Sequence, residues 1–107
     1  MDEDEVFQEH ITVDLSGCEY VMEFWGCIGA AFDFGDNFGN NWSAFSDSIR
    51  RDCPAHKVTV IGANKLPKGW KNLKGIPYSE MIQNILQENK EFKARNNYAF
   101  DYEFIDA

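Results

Sequence analysis

Three short segments of the chain carry the apolar patterns of β-strands. Residues 11–15 form a short β-rich run before a turn signal. Residues 58–61 form a continuous apolar run, typical of a strand that is buried on both faces. Near the end of the chain, Phe100, Tyr102 and Phe104 alternate with acidic residues, as in a strand with one wetter face. We therefore predict three strands.

Two longer segments carry apolar residues at the 3.6-residue spacing of an amphipathic helix. In the first, Ser16 and Glu19 match a capping box, which predicts that a helix starts there and continues to Phe32. Its apolar stripe consists of Val21, Phe24, Trp25, Ile28 and Phe32. The second helix should run from about residue 79 to about residue 97. Its apolar stripe consists of Met81, Ile82, Ile85, Leu86 and Phe92.

In residues 38–47, a glycine, a helix cap and a third patterned helix follow one another without a gap. Gly39 permits backbone angles that are closed to other residues, and Asn41 is among the best N-cap types. The helix that follows, here called the motif helix, should end before Pro54. Its buried stripe consists of Trp42, Phe45 and Ile49.

The opposite face of the motif helix is polar. Its residues fall at i, i+3, i+7 and i+10, so we expect them to project from one exposed face. They are Asn40, Ser43, Asp47 and Arg50. Because Asp47 is the only acid among them, the segment should present one carboxylate to a partner outside the chain.

The order of these elements predicts the fold class. Residues 62–77 are the least regular stretch, with one short helix expected at residues 70–73. The order β, α, α, β, irregular segment, α, β implies right-handed crossovers between parallel strands. We predict an α/β fold in which helices pack on a small three-stranded parallel sheet. Residues 9–107 should form one domain, after a disordered acidic leader at residues 1–8.

The motif segment resembles the signature of the barstar-like proteins, the inhibitors of small secreted ribonucleases. The residues that carry the resemblance are Phe38-Gly39-x-Asn41-Trp42-x-Ala44-Phe45-x-Asp47. The order of elements is similar too, with a first strand that ends at Asp14-Leu15-Ser16-Gly17, then a helix, the motif and a strand at residues 58–61. The resemblance is firm from about residue 11 to residue 61 and looser afterwards. It implies a barstar-like fold and a nuclease as the partner.

The resemblance also implies a set of partner-binding residues. Those at contact positions of the motif are Asn37, Gly39, Asn41, Ser43, Ser46, Asp47 and Arg50. An acid on the last long helix is also implied; Glu88 and Glu91 are the candidates, and we favour Glu91. The chain departs from the family pattern at three positions. Ser43 stands where relatives commonly carry an acid, Ser46 where an aromatic is familiar, and Arg50 adds a positive charge beside Asp47.

The charge of the chain favours a basic protein partner. Its 18 acidic and 10 basic residues give a net charge of −8, and residues 1–49 hold eleven Asp or Glu and no Lys or Arg. Phosphate binding requires cations, so we expect no direct contact with nucleic acid. An acidic surface would steer a basic protein into contact. Acidity that serves only solubility is the alternative.

The remaining chemistry of the chain points away from an enzyme. Cys18 and Cys27 should lie too far apart along one helix to bridge, so they and Cys53 are expected to be reduced thiols. Cys53 and His56 have tolerable metal spacing, but a structural zinc needs four ligands, so we expect no metal and no cofactor. His10 and His56 are expected to be ordinary residues at strand starts. No apolar run approaches a membrane span, which favours a cytoplasmic protein.

Three functional hypotheses follow. In the first, the chain is a monomeric immunity protein that blocks the active site of a cognate nuclease toxin, one delivered between competing bacteria, by offering Asp47 as a phosphate mimic. In the second, it is a small enzyme or ligand-binding domain in which the loop at residues 35–41 lines a pocket. In the third, it is a subunit of a larger assembly, which would show a broad apolar surface patch.

Overall fold

Three parallel strands form the sheet of this protein, in the order β1-β2-β3, in a computed structural model that describes residues 9–35, 38–53 and 55–107. The strands are β1 (His10–Asp14), β2 (Lys57–Ile61) and β3 (Asp101–Ile105). The helices are α1 (Val21–Phe32), α2 (Trp42–Asp52) and α3 (Tyr78–Arg95). The predicted α/β fold with a three-stranded parallel sheet and packed helices is therefore confirmed. The predicted leader at residues 1–8 and the helix stop at Pro54 lie outside the described residues.

The central strand β2 is buried on both faces, as its apolar run predicts. Val58, Thr59 and Val60 expose less than a twentieth of their surface. The one hydroxyl among them is satisfied across the sheet, because Thr59 Oγ1 donates to Glu103 Oε2 (3.1 Å) and lies 2.7 Å from His10 Nε2. Since the hydroxyl hydrogen points at the carboxylate, the His10 ring donates to Thr59. A polar residue thus ties all three strands together.

Aromatic rings join α1, α2 and the start of α3 into one core. Phe24 is fully buried, with its ring centroid 5.6 Å from that of Trp42 and 5.0 Å from that of Tyr78. On the next turn of α1, a side chain added at Gly29 would meet the Phe38 ring at 3.4 Å. The loop before α2 therefore packs against α1 at Gly29. Each buried ring contributes roughly 1.5–3 kcal/mol of hydrophobic stabilisation.

The predicted start of α1 was wrong, because the turn after β1 uses the capping serine differently. Ser16 Oγ and the Ser16 backbone N–H both donate to Asp14 Oδ1, at 2.6 and 3.0 Å. The helix begins four residues later than Gly17, and Glu23 Oε1 accepts from the backbone N–H groups of Glu19 and Tyr20, at 2.7 and 3.2 Å. A carboxylate two residues before Ser16 therefore competes successfully for its hydroxyl.

The later start of α1 also overturns the prediction for two cysteines. Cys18 precedes the helix instead of lying on it, and the chain folds back so that its Sγ is 3.9 Å from Sγ of Cys27. Both are free thiols and half-buried. The predicted separation along one helix therefore does not exist.

The short helix predicted at residues 70–73 is also wrong. A 3₁₀ turn at Ala63–Lys65 comes first, and residues 70–77 then form a tight loop. Asn72 organises this loop, since its Oδ1 accepts from the backbone N–H groups of Lys74 and Ile76, at 3.0 and 2.9 Å. Leu73 at the tip is fully exposed, so no apolar contact favours a helix there.

The long helix α3 agrees with its prediction and adds a buried cation. Ile82, Ile85 and Leu86 are buried as expected. Lys93 is 7% exposed, and its Nζ donates to the backbone carbonyl of Cys53 at the C-terminal end of α2. Burial lowers the pKa of Lys93. The ammonium group thus satisfies a carbonyl that α2 leaves without a helical partner.

Lys93→Met is expected to lower the free energy of unfolding by about 1.5 kcal/mol, the value of a hydrogen bond to a charged group, measured by urea denaturation. Methionine keeps the buried stem and removes only the ammonium group. The matched control is Lys90→Met, which removes an exposed ion pair with Asp101 (3.1 Å) and should cost less than about 1 kcal/mol. Equal losses in the two variants would contradict a capping role for Lys93.

Candidate functional site

The motif begins with a tight cap on α2. Asn41 has extended backbone angles, its Oδ1 accepts from the backbone N–H of Ala44 at 2.8 Å, and its Nδ2 donates to the carbonyl of Gly39 at 3.0 Å. The predicted N-cap is therefore confirmed. A side chain at Gly39 would lie 3.0 Å from Asn41 Nδ2 and 3.3 Å from Ala44 Cβ. Glycine therefore relieves a tight contact with the capping side chain.

The unusual backbone angle of the motif falls one residue after the glycine. Gly39 permits angles that are closed to other residues, but the residue with positive φ is Asn40, at 53°. Asparagine tolerates this left-handed conformation better than most residues. Asn40 therefore turns the chain into the helix and does not extend the polar stripe of α2, where we expected it.

The buried face of α2 holds the motif in place. Phe45 and Ile49 are fully buried, and Trp42 is half-buried, with its ring centroid 4.8 Å from that of Trp25 and 4.9 Å from that of Tyr78. The predicted apolar stripe is confirmed. Because these rings belong to α1 and α3, both neighbouring helices restrict the position of α2.

The exposed face of α2 carries an ion pair. Asp47 has 57% of its side chain exposed, and its Oδ1 accepts from Arg50 Nη2 at 2.9 Å. Ser43 is exposed one turn earlier, and Ser46 is half-buried beside it. The positive charge of Arg50 therefore lies directly against the candidate carboxylate.

A cleft of about 340 Å³ runs between α2 and α3 and brings distant residues to the motif. Its walls include Ser43 and Ser46 from α2, Glu88 from α3 and Lys74 from the Asn72 loop. Nothing in the local sequence pattern indicated Lys74, because only the loop geometry carries it to the motif.

The two acids considered for α3 lie in different surroundings. Glu88 lines the cleft beside α2. Glu91 Oε2 instead accepts from Gln87 Nε2 at 3.0 Å, and Gln87 Oε1 accepts from the Tyr102 hydroxyl of β3 at 2.7 Å. The structure therefore brings Glu88 together with the motif serines and holds Glu91 in a chain of hydrogen bonds that leads to the sheet.

The family model of barstar, described as the barnase inhibitor, matches residues 8–104, which include the motif, the sheet and α3. The chain belongs to the barstar family. The resemblance of the motif is thereby confirmed along nearly the whole chain. Members of the barstar family are inhibitors that bind a nuclease, so membership supports a protein partner of this general kind. A comparison with curated proteins gave no match.

The other possibilities were a metal site and a pocket lined by the loop at residues 35–41. Within the described ranges, no three His, Cys, Asp or Glu side chains are grouped closely enough to hold a metal ion. A cleft of about 610 Å³ opens at the carboxyl ends of the strands, lined by Asn64, Glu80 and Phe104 among others, and does not involve the loop before α2. No helix in the described parts is both long and apolar enough to cross a bilayer. Asn37, the first of the implied contact residues, lies outside the described residues.

Asn41→Ala is expected to lower the free energy of unfolding by about 1 kcal/mol, because the N–H of Ala44 loses its acceptor. Chemical denaturation measures the loss. Serine also caps helices well, so Asn41→Ser should retain most of the stability. If serine destabilised the protein as much as alanine, the cap would not be the reason for asparagine at this position.

Proposed function

We propose that this protein is an immunity protein, which inhibits a nuclease toxin by placing the exposed face of α2 in the active-site cleft of the toxin. The observation that carries the proposal is the position of Asp47, an exposed carboxylate on a helix that is held by rings from two neighbouring helices. A nuclease cleft holds cationic side chains for phosphate. A fixed carboxylate can occupy such a position and exclude the polynucleotide.

The ion pair between Asp47 and Arg50 is weak enough for an arginine of the target to replace Arg50. The contact uses one carboxylate oxygen, Oδ1, and 36% of the Arg50 side chain and 57% of the Asp47 side chain are exposed. An exposed pair of this kind contributes less than about 1 kcal/mol, so a target arginine can replace Arg50 at little cost. A bidentate arginine in a desolvated cleft would then bind more strongly than Arg50 does in water.

The charges of the protein favour a target toxin whose cleft differs from that of the usual extracellular ribonuclease. The net charge of −8 would accelerate association with a basic protein. The binding face itself is mixed, because Arg50 and Lys74 lie among Asp47 and Glu88. We infer that the target offers at least one acidic or hydroxyl group beside its phosphate-binding cations. Such a mixed pattern also discriminates against other nucleases.

A second acid, Glu88, completes the proposed face. It lies across the cleft from Ser43 and Ser46, where short side chains leave room for a target side chain to enter. Glu91 is bonded to Gln87 and faces the sheet side of α3. We therefore assign the α3 contribution to Glu88, although we favoured Glu91 on the resemblance to the family. The protein is proposed to act as a monomer that meets its toxin in a one-to-one complex.

Asp47→Asn is expected to abolish protection when the chain is co-expressed with a nuclease toxin against which the unchanged chain protects, and to weaken binding at least about 30-fold, the loss typical of a hot spot. Isothermal titration calorimetry measures the affinity, and circular dichroism checks that the variant is folded. The control is Glu9→Gln, which removes one negative charge from an exposed residue just before β1. Full protection by a folded Asp47→Asn variant would rule out the proposed face.

Glu88→Gln and Glu91→Gln form a second matched pair on the same helix. Each removes one carboxylate charge, so long-range steering changes equally in both. Only Glu88→Gln should raise the dissociation rate of the complex, by about tenfold, because only Glu88 lies in the cleft. Surface plasmon resonance separates the two rates. A larger effect at Glu91 would reverse the assignment.

A further inference from the structure

Two cysteines in the described structure lie close enough for a reaction between them. Cys18 sits in the segment that connects β1 to α1, and Cys27 sits in the middle of α1. Their Sγ atoms are 3.9 Å apart, and both thiols are free and half-buried. A disulfide has a sulfur separation of about 2.05 Å, so a shift of roughly 2 Å must bring the two sulfurs together.

The surroundings of the pair leave room for that shift. A shallow groove of about 440 Å³ runs beside the two thiols, and its walls are mostly apolar. Gly17 and Gly26 lie next to Cys18 and Cys27 in the chain, and a side chain added at either glycine would meet nothing within 4 Å. Cys18 itself is outside regular secondary structure. The backbone beside each cysteine is therefore not crowded by other side chains, and the Cys18 N–H donates to the carbonyl of Leu15 at 3.2 Å.

We propose that Cys18 and Cys27 form an intramolecular disulfide by exchange with a low-molecular-weight disulfide such as oxidised glutathione. One protein thiol loses its proton, attacks the small disulfide and releases one thiolate. The second protein thiol then loses its proton, attacks the mixed disulfide and releases the other thiolate. The two protein thiols together lose two protons and two electrons, and the small disulfide is reduced to two thiols.

The third cysteine takes no part in this exchange. Cys53 is 3% exposed at the end of α2, and burial raises the pKa of its thiol. A buried thiol with little thiolate is both unreachable and unreactive toward a small disulfide. Cys53 should therefore remain reduced in the folded protein.

The charges around the pair set the speed of the exchange. Partial burial, the neighbouring Cys27 thiol and the carboxylates of Glu23 and Asp14 raise the pKa of Cys18 to about 12. The reactive thiolate of Cys18 is therefore scarce near neutral pH, and the exchange should become faster as the pH rises.

The disulfide would tie the loop after β1 to α1. It closes a loop of about ten residues, which restricts the unfolded chain, so the melting temperature should rise by roughly 10 °C. Neither cysteine lies on α2 or in its cleft, so this inference does not rest on the proposed function.

The test uses the full chain, reduced, freed of reductant and incubated with excess oxidised glutathione at neutral and at alkaline pH. The protein is then unfolded, free thiols are alkylated, and the products are counted by mass spectrometry. We expect the number of alkylated thiols to fall from three to one, with a peptide that links Cys18 to Cys27. Thermal denaturation should show the rise in melting temperature.

Three variants make the outcome decisive. Cys53→Ser should lose both of its remaining thiols and gain thermal stability on oxidation, whereas Cys18→Ser and Cys27→Ser should do neither. Three free thiols after incubation at alkaline pH, a glutathione adduct that does not close, or a disulfide-linked dimer would each overturn the proposal.

Discussion

The packing of Trp42 against rings from two other helices is the contact on which the rest of the structure depends. Its ring centroid lies 4.8 Å from that of Trp25 on α1 and 4.9 Å from that of Tyr78 at the start of α3. Trp42 is also the first residue of α2, directly after the Asn41 cap. One side chain therefore determines where the helix begins and which way its polar face turns. A face held in this way loses little conformational freedom when a partner binds.

Two cations of the protein differ in burial, and the buried one stabilises the fold while the more exposed one is available for recognition. Lys93 is buried and donates to the carbonyl of Cys53, so it satisfies the end of α2 and cannot be exchanged without loss of stability. Arg50 lies partly exposed against the more exposed Asp47, where water and salt weaken the pair. The first contact belongs to the fold. The second is available to a partner, which is why the proposed binding face can contain an arginine and still attract a basic protein.

Membership of the barstar family explains the architecture, and the side chains around α2 shape the surface. The short side chains of Ser43 and Ser46 border an open cleft that Glu88 and Lys74 also line. The face is therefore less uniformly acidic than the net charge of the chain suggests. Acidity spread along the first half of the chain would act at long range, and the mixed charges around α2 would act on contact.

The sequence by itself determined the secondary structure wherever the periodic pattern was strong. The doubly buried strand at Thr59, the Asn41 cap and the stripe of α2 all depend on residues close in the chain, so their spacing was sufficient. The contacts of Lys93 and Glu88 were decided by the tertiary structure alone. Each depends on how a loop or helix lies against a distant element, for example the 40 residues that separate Lys93 from the carbonyl it caps. Local periodicity carries no information about such distances, because only the packing of the core brings those segments together.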